Sequence, residues 1–376
     1  MKKACALAVW LAGMIPLATA AGETRVPEIH GYVQTWWTIR EELENGIRQA
    51  GSEDEAAQTA AGFSLRRARL SLADTLGSSR LRFRLEILLE ENARLTDCYL
   101  AGRLAPGWEL VVGQQKIPST YESLQSSTGL DFVERSTLSE RIADWSLSRT
   151  PYISPYMGNR ALLRDTGLGL RAAVGPVRAF AMVGNGLGAN LFVGGKQRKE
   201  FLYGNGPADL FYGLRLDADL GPGLTAGGHA SLNRHDNSLL NDAKTVIDLR
   251  RWSWSADLGW ALPRGVTLRG MYAAGAVDDD YYRDRRTNYE YQGYELKALV
   301  WLVPDRLQTG IRFDRYEDEF NQAGNHVVER HWTLGATAPL SPGSRIQLNY
   351  VWKETDEPYV PDLDDDLLLL SAQLAF

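Results

Sequence analysis

The feature that most constrains this chain is a period of two. From Arg80 to Glu90, Leu81, Phe83, Leu85, Ile87 and Leu89 occupy alternate positions, with Arg80, Arg82, Arg84, Glu86 and Glu90 on the opposite parity. Successive side chains of a β-strand face opposite sides of the sheet, so this segment has one apolar face and one charged face. A helix would mix the two on every side. The pattern returns in Trp252, Trp254, Ala256, Leu258 and Trp260, opposite Ser253, Ser255 and Asp257. It returns again in Tyr294 to Leu302, Leu307 to Phe313, Ile346 to Trp352 and Leu368 to Phe376.

Soluble sandwiches alternate as well, and the connections separate the two architectures. Strands are predicted near 29–40, 62–73, 80–90, 94–104, 108–117, 164–174, 177–185, 208–219, 224–233, 246–261, 266–276, 289–303, 306–317, 327–339, 345–354 and 367–376. After even strands the chain turns tightly, at Leu76-Gly77-Ser78, Ala105-Pro106-Gly107, Gly175-Pro176, Gly221-Pro222-Gly223, Pro263-Arg264-Gly265, Pro304-Asp305 and Ser341-Pro342-Gly343. After odd strands it runs through longer polar segments such as 41–61, 118–163, 186–207 and 355–366, with 91–93 a short exception. Short turns at one end and long loops at the other predict an all-β transmembrane barrel of about 16 antiparallel strands, with both termini periplasmic.

The N-terminus reads as a secretory signal: Lys2 and Lys3, an apolar run from Ala4 to Leu17 broken by Pro16, and the small-x-small site Ala18-Thr19-Ala20. Cleavage after Ala20 is expected, leaving 21–376 as the barrel. No later segment approaches the roughly 20 apolar residues a spanning helix needs, so only a closed barrel places the mature chain in a membrane. The bacterial outer membrane is the expected location, and the terminal Phe376 suits its assembly machinery.

A net charge of −6 and a mean hydropathy of −0.28 argue against a nucleic-acid binder and against a helical membrane protein. Eleven Trp, 16 Tyr and 10 Phe suit interfacial girdles. Cys5 leaves with the signal and Cys98 then has no intrachain partner. The five His are scattered without metal-site spacing, so no metal and no cofactor are expected.

The chemistry of a pore is the field and bore of its lumen. With the apolar face of 80–90 in lipid, Arg80, Arg82 and Arg84 point inward. On the preceding strand Ala68, Leu70 and Leu72 share the lipid face, which turns Arg67 and Arg69 inward beside them. Such a patch concentrates small anionic solutes. The alternative is that Glu86, Glu90, Asp97 and loop carboxylates neutralise it as a ladder of salt bridges that stiffens the wall. The segment 118–163, the third outer loop, is too long for a simple connection. Folded inward, it would line a constriction with Tyr121, Glu122, Asp131, Phe132, Glu134, Arg135 and Arg141; the alternative is a loop that stays outside. The acidic runs Glu53-Asp54-Glu55, Asp278-Asp279-Asp280 and Asp362 to Asp366 are expected in outer loops, solvated or bridged by divalent cations to lipopolysaccharide.

The stretches Phe63-Ser-Leu-Arg-Arg-Ala-Arg-Leu70, Gly113-Gln-Gln-Lys-Ile-Pro118, Glu122-Ser-Leu-Gln-Ser-Ser127 and Phe132-Val-Glu-Arg-Ser136 resemble the phosphate-selective porin O/P family. The resemblance covers roughly the first third of the mature chain. It implies a sixteen-stranded barrel, commonly a homotrimer, with an inward third loop and an arginine-lined anion path. The motif positions are Arg66, Arg67, Arg69, Lys116, Glu134 and Arg135. Register puts Arg66 on the lipid side, so the expected path is Arg67, Arg69, Arg80, Arg82, Arg84 and Lys116, with Lys116 near a rim.

The expected function is passive diffusion of small hydrophilic solutes, with anions such as phosphate favoured. A general non-selective porin is the first alternative. A barrel enzyme would need a convergent nucleophile, base and acid, and the sequence nominates none. A barrel sheathing a partner protein would need an occupied lumen, and the chain carries no haem-attachment motif.

Overall fold

Alternation over eight to nineteen residues makes each segment a two-faced strand, and sixteen of them close on themselves. The computed structural model describes residues 27–43, 57–76, 80–90, 93–146, 163–186, 210–240, 246–282, 285–319, 326–356 and 366–376. The signal segment 1–20, Glu53 to Glu55, Gly77 and Ser78, and Asp362 to Asp365 lie outside the described residues.

The strands are β1 (Glu28–Leu43), β2 (Ala57–Thr75), β3 (Leu81–Leu88), β4 (Arg94–Ala105), β5 (Trp108–Lys116), β6 (Arg164–Val174), β7 (Val177–Gly184) and β8 (Phe211–Gly221). They continue with β9 (Leu224–Leu240), β10 (Val246–Leu262), β11 (Val266–Tyr282), β12 (Arg285–Val303), β13 (Leu307–Glu319), β14 (His326–Ser341), β15 (Ser344–Asp356) and β16 (Leu367–Ala375). Each pairs antiparallel with its sequence neighbours, and β16 pairs with β1, Val33 opposite Leu374. Gly31 and Phe376 exchange two backbone hydrogen bonds of 2.9 Å at the seam. Closure satisfies the edge backbone groups, as a strand surrounded by lipid requires.

The two faces sort as the alternation dictates. Trp252, Trp254, Leu258, Trp260, Leu334, Trp332, Ile346, Leu348 and Trp352 are exposed on the outside, while Ser253, Ser255, Thr333, Gln347 and Asn349 are buried on the inside. An apolar surface of this extent belongs against hydrocarbon. Outer aromatics meet across strands, with Phe313 and Trp332 centroids 4.5 Å apart and Trp254 and Tyr272 5.4 Å apart. The tight turns close through left-handed residues. At Gly107 (φ 77°) any side chain would start 2.3 Å from the Ala173 carbonyl oxygen, so only glycine fits.

All sixteen strands fall where alternation predicts, but several outer ends run further. β9 continues to Leu240, β11 to Tyr282, and β12 begins at Arg285. Asp278 and Asp279, expected in a loop, are on β11, opposite Asn288 and Thr287. Above the bilayer both faces of a strand meet water, so the backbone ladder continues where the hydrophobic alternation has stopped.

A second correction concerns Arg66. The β1–β2 ladder shifts between Gln34 and Thr35, whose partners are Arg67 and Leu65, leaving Arg66 as the extra residue of a β-bulge. The bulge turns Arg66 inward: its guanidinium lies 4.7 Å from the ring of the buried Trp36 and 3.3 Å from the Glu134 carboxylate. A one-residue bulge changes which face a side chain reaches, and strict parity cannot see it.

Candidate functional site

The lumen has two walls of different character, set by where the third loop lies. The chain leaves β5 through α1 (Tyr121–Leu124), a 3-10 turn (Ser127–Gly129) and α2 (Thr137–Ser146). On α2, Leu138 and Ile142 are four residues apart and share a face. That face is fully buried with Tyr121 against Met271, Ala273, Val277, Tyr291 and Tyr316, inward residues of β11 to β13. Val133 packs with Trp36 and Leu369. Each fully buried Leu, Ile or Phe contributes about 1.5–3 kcal/mol, so this segment is held on the inner wall. At Gly335 a Cβ would lie 2.7 Å from the Phe132 ring, and at Gly293 the same distance from Leu138. The wall makes room for the loop there.

Polar contacts complete the attachment. Lys297 Nζ donates to Asp131 Oδ2 at 2.5 Å, and Arg312 Nη1 to the Glu134 carbonyl at 2.9 Å. The Thr137 amide donates to Asp314 at 2.9 Å, Arg141 pairs with Glu329, and Arg345 donates to the Ser127 carbonyl at 3.1 Å. Glu122 accepts from the Ser136 amide (2.7 Å) and hydroxyl (2.9 Å), with Arg312 3.7 Å and Lys297 3.9 Å away. Burial raises the Glu122 carboxyl, but Lys297, Arg312 and the Ser136 amide outweigh it and hold the group below its ordinary value. Burial, reinforced by Glu295 and Glu122, pushes the Tyr121 hydroxyl well above its ordinary value, and it donates to Glu295.

The opposite wall, β3 to β8, bounds a cavity of about 860 Å³ in the half of the lumen nearer the short turns. Arg80, Arg84, Arg103, Lys116, Arg171 and Arg178 line it, against Asp97, Glu109 and Asp217. Six cationic side chains face three carboxylates, so this wall carries a positive excess.

Each residue expected from the sequence has a definite place. Arg67 is buried and donates to Gln34 Oε1 at 2.8 Å. Arg69 pairs with Glu86 at 3.3 Å, Arg84 with Glu86 at 2.9 Å and Asp97 at 3.5 Å. Arg82 grips Glu109 with two 2.7 Å hydrogen bonds. Arg164 joins this network, 3.1 Å from Glu86 and 2.5 Å from Asp97. For Arg69, Arg84 and Arg164 the ladder alternative describes the contacts, whereas Arg82 is held by Glu109 and Arg67 by the neutral Gln34. Arg80 forms no side-chain pair among the described residues and lines the cavity.

Lys116 reaches inward rather than out to a rim. Its ammonium donates to the carbonyls of Ser123, Leu124 and Gln125 at 3.1, 3.0 and 2.7 Å, capping α1. Arg135 donates to the Glu122 and Gln125 carbonyls. Tyr121, Glu122, Asp131, Glu134, Arg135 and Arg141 are thus brought together, mostly as attachments of the loop.

Arg103, Arg171 and Arg178 are cavity residues beyond those expected from the sequence, although alternation carries their signal. Arg103 shares the parity of Tyr99, and Arg171 lies two residues from each of the inward positions Gly169 and Ala173. Lys297 and Arg312 carry no such signal, because their role depends on a distant loop.

A closed sixteen-stranded antiparallel barrel with an outer loop packed on its inner wall has the porin fold. The sequence profile of the family "phosphate-selective porin O and P" matches residues 39–154, where the motifs lie. No curated protein sequence matches the chain. Among solved structures, the anion-selective porin from Comamonas acidovorans superposes with a TM-score of 0.61 at 13% identity, over 93% of this chain and 99% of that one. The outer-membrane channel DcaP of Acinetobacter baumannii gives 0.60 at 11% identity, over 93% and 97%. OmpT of Vibrio cholerae, in a trimer form, gives 0.57 at 12%, over 93% and 99%. At such identities the likeness is one of fold.

Proposed function

We propose that the barrel passes small hydrophilic solutes by diffusion and favours anions, phosphate among them. The observation that carries this is the cationic excess on the wall of β3 to β8, with the loop fixed to the other side. Charge of one sign on low-dielectric walls raises the local concentration of counter-ions and lowers their barrier to passage. The name of the family matched over 39–154 and the anion selectivity of the Comamonas porin point the same way. The pairing of Arg69, Arg82 and Arg84 favours the rival reading, a non-selective pore.

Planar bilayers under a KCl gradient separate the two. The wild type should show a reversal potential of the anion-selective sign, and Arg84→Glu with Arg178→Glu should move it toward cations. A wild-type potential at zero establishes the general pore. We also infer a homotrimer set in lipid and lipopolysaccharide, which the trimer form of the Vibrio protein supports.

A further inference from the structure

The β3–β4 ladder sets two arginines face to face. Leu81 pairs with Gly102 and Arg82 with Ala101, and one step further the Arg103 amide donates to the Arg80 carbonyl at 3.0 Å. Arg80 and Arg103 are therefore direct cross-strand neighbours, with Cβ atoms about 5 Å apart on the inner face. Like charges so placed destabilise a sheet unless something of opposite charge sits between them. The nearest acid by register is Glu109, opposite Arg103 on β5. Its two oxygens are already taken by Arg82 at 2.7 Å, with Arg171 3.7 Å away. Among the described residues neither Arg80 nor Arg103 forms a side-chain hydrogen bond, close ion pair or ring contact, although Arg103 lies within reach of the Glu109 charge that Arg82 already holds.

Both arginines open into the 860 Å³ cavity, and the surface beyond them is not that of a site for a hydrated inorganic ion. Tyr99, Trp108, Phe180 and Ala173 line it. The Arg171 guanidinium lies 5.6 Å from the Tyr99 ring centroid and 5.1 Å from that of Phe180, forming a flat cationic platform. Apolar walls with a few convergent charged groups are the usual form of an organic-ligand site, and the volume falls in the usual range.

We propose that this cavity is a binding site for aromatic carboxylates, the acid held between Arg80 and Arg103 and the ring against Phe180, Tyr99 and Arg171. The carboxylate accepts from two guanidiniums that are otherwise opposed, which relieves their repulsion. The inference rests on the anion-favouring reading of the same lumen and adds a solute class and a place at the periplasmic mouth.

The test uses benzoate and acetate as blockers of chloride current, added from the periplasmic side to the full-length channel. Half-block by benzoate is expected at a concentration about tenfold or more below that for acetate, the ring contributing through stacking and cation–π contact. Arg80→Ala with Arg103→Ala should raise the benzoate value about tenfold or more, the loss of charge-assisted hydrogen bonds. Phe180→Leu keeps every charge and should narrow the benzoate–acetate gap while leaving acetate unchanged. Equal block by the two acids in the wild type, or an unaltered benzoate value in the double variant, overturns the proposal. The reversal potential in KCl stays a separate readout: anion preference without selective block removes this site alone, and selective block at zero potential removes only the general preference.

Discussion

The two walls of the lumen use the same residue types for opposite ends. On β12 and β13, Lys297 and Arg312 are almost wholly buried, and beside the wall carboxylates Glu295 and Asp314 both hold the loop, through Asp131, Glu122 and the Glu134 carbonyl. Along β3 to β7, Arg80, Arg103 and Arg178 face the 860 Å³ cavity with no side-chain hydrogen bond or close ion pair among the described residues, and Arg82 is half exposed. What covers a cation decides its role. Under the loop it is an attachment, strong because the low-dielectric surroundings make losing one member costly. On the open wall it remains available to a solute, and contributes little to stability.

The largest effect should come from breaking an attachment. Lys297→Met keeps the volume of the side chain but leaves Asp131 without its partner and Glu122 with one cation fewer. Removing one member of a buried pair costs about 3–5 kcal/mol. Heat-modifiable gel mobility should therefore shift at a lower temperature, and single-channel conductance should rise as the loop leaves the wall. Lost stability with conductance unchanged would show that Lys297 holds the barrel rather than the loop.

The contrast also explains what the sequence disclosed. Strand number and facing were legible because each buried face repeats every second residue, as in Leu81 to Leu89. Inward arginines on β2 and β3 followed from the same parity. Their pairing did not: Arg82 meets Glu109 across β4, a strand away from its own neighbour, and nothing in the spacing of residues 82 and 109 announces it. Arg66 was misplaced because a bulge is a backbone event without a residue signature here. Lys297 and Arg312 looked like ordinary inward polar residues, because the loop that gives them a role lies some 170 positions away in the chain.

A smaller effect should appear on acidification. Glu122 is held below its ordinary value, so its contribution to loop attachment is fully present above the usual glutamate value of 4.5 and is lost as pH falls through the depressed one. Conductance should stay level from neutral pH down to that ordinary value and become unsteady only below it. Glu122→Gln, which cannot ionise, should be unsteady at neutral pH and should lose this transition; a variant that retains it would assign the acid response to another carboxylate.

The smallest effect tests the open wall. Glu109 accepts both hydrogen bonds from Arg82 and lies 3.7 Å from Arg171, so it masks charge that would otherwise face the cavity. Arg82 is half exposed, and such a pair contributes about 1 kcal/mol or less. Glu109→Gln should therefore leave unfolding nearly unchanged, since the amide oxygen still accepts one bond from Arg82. It should nevertheless move the KCl reversal potential further toward anions, because one negative charge leaves the cavity and Arg82 and Arg171 lose their counter-ion. If the potential does not move while stability falls by several kcal/mol, the open wall behaves like the loop-bearing one, and the distinction between them fails.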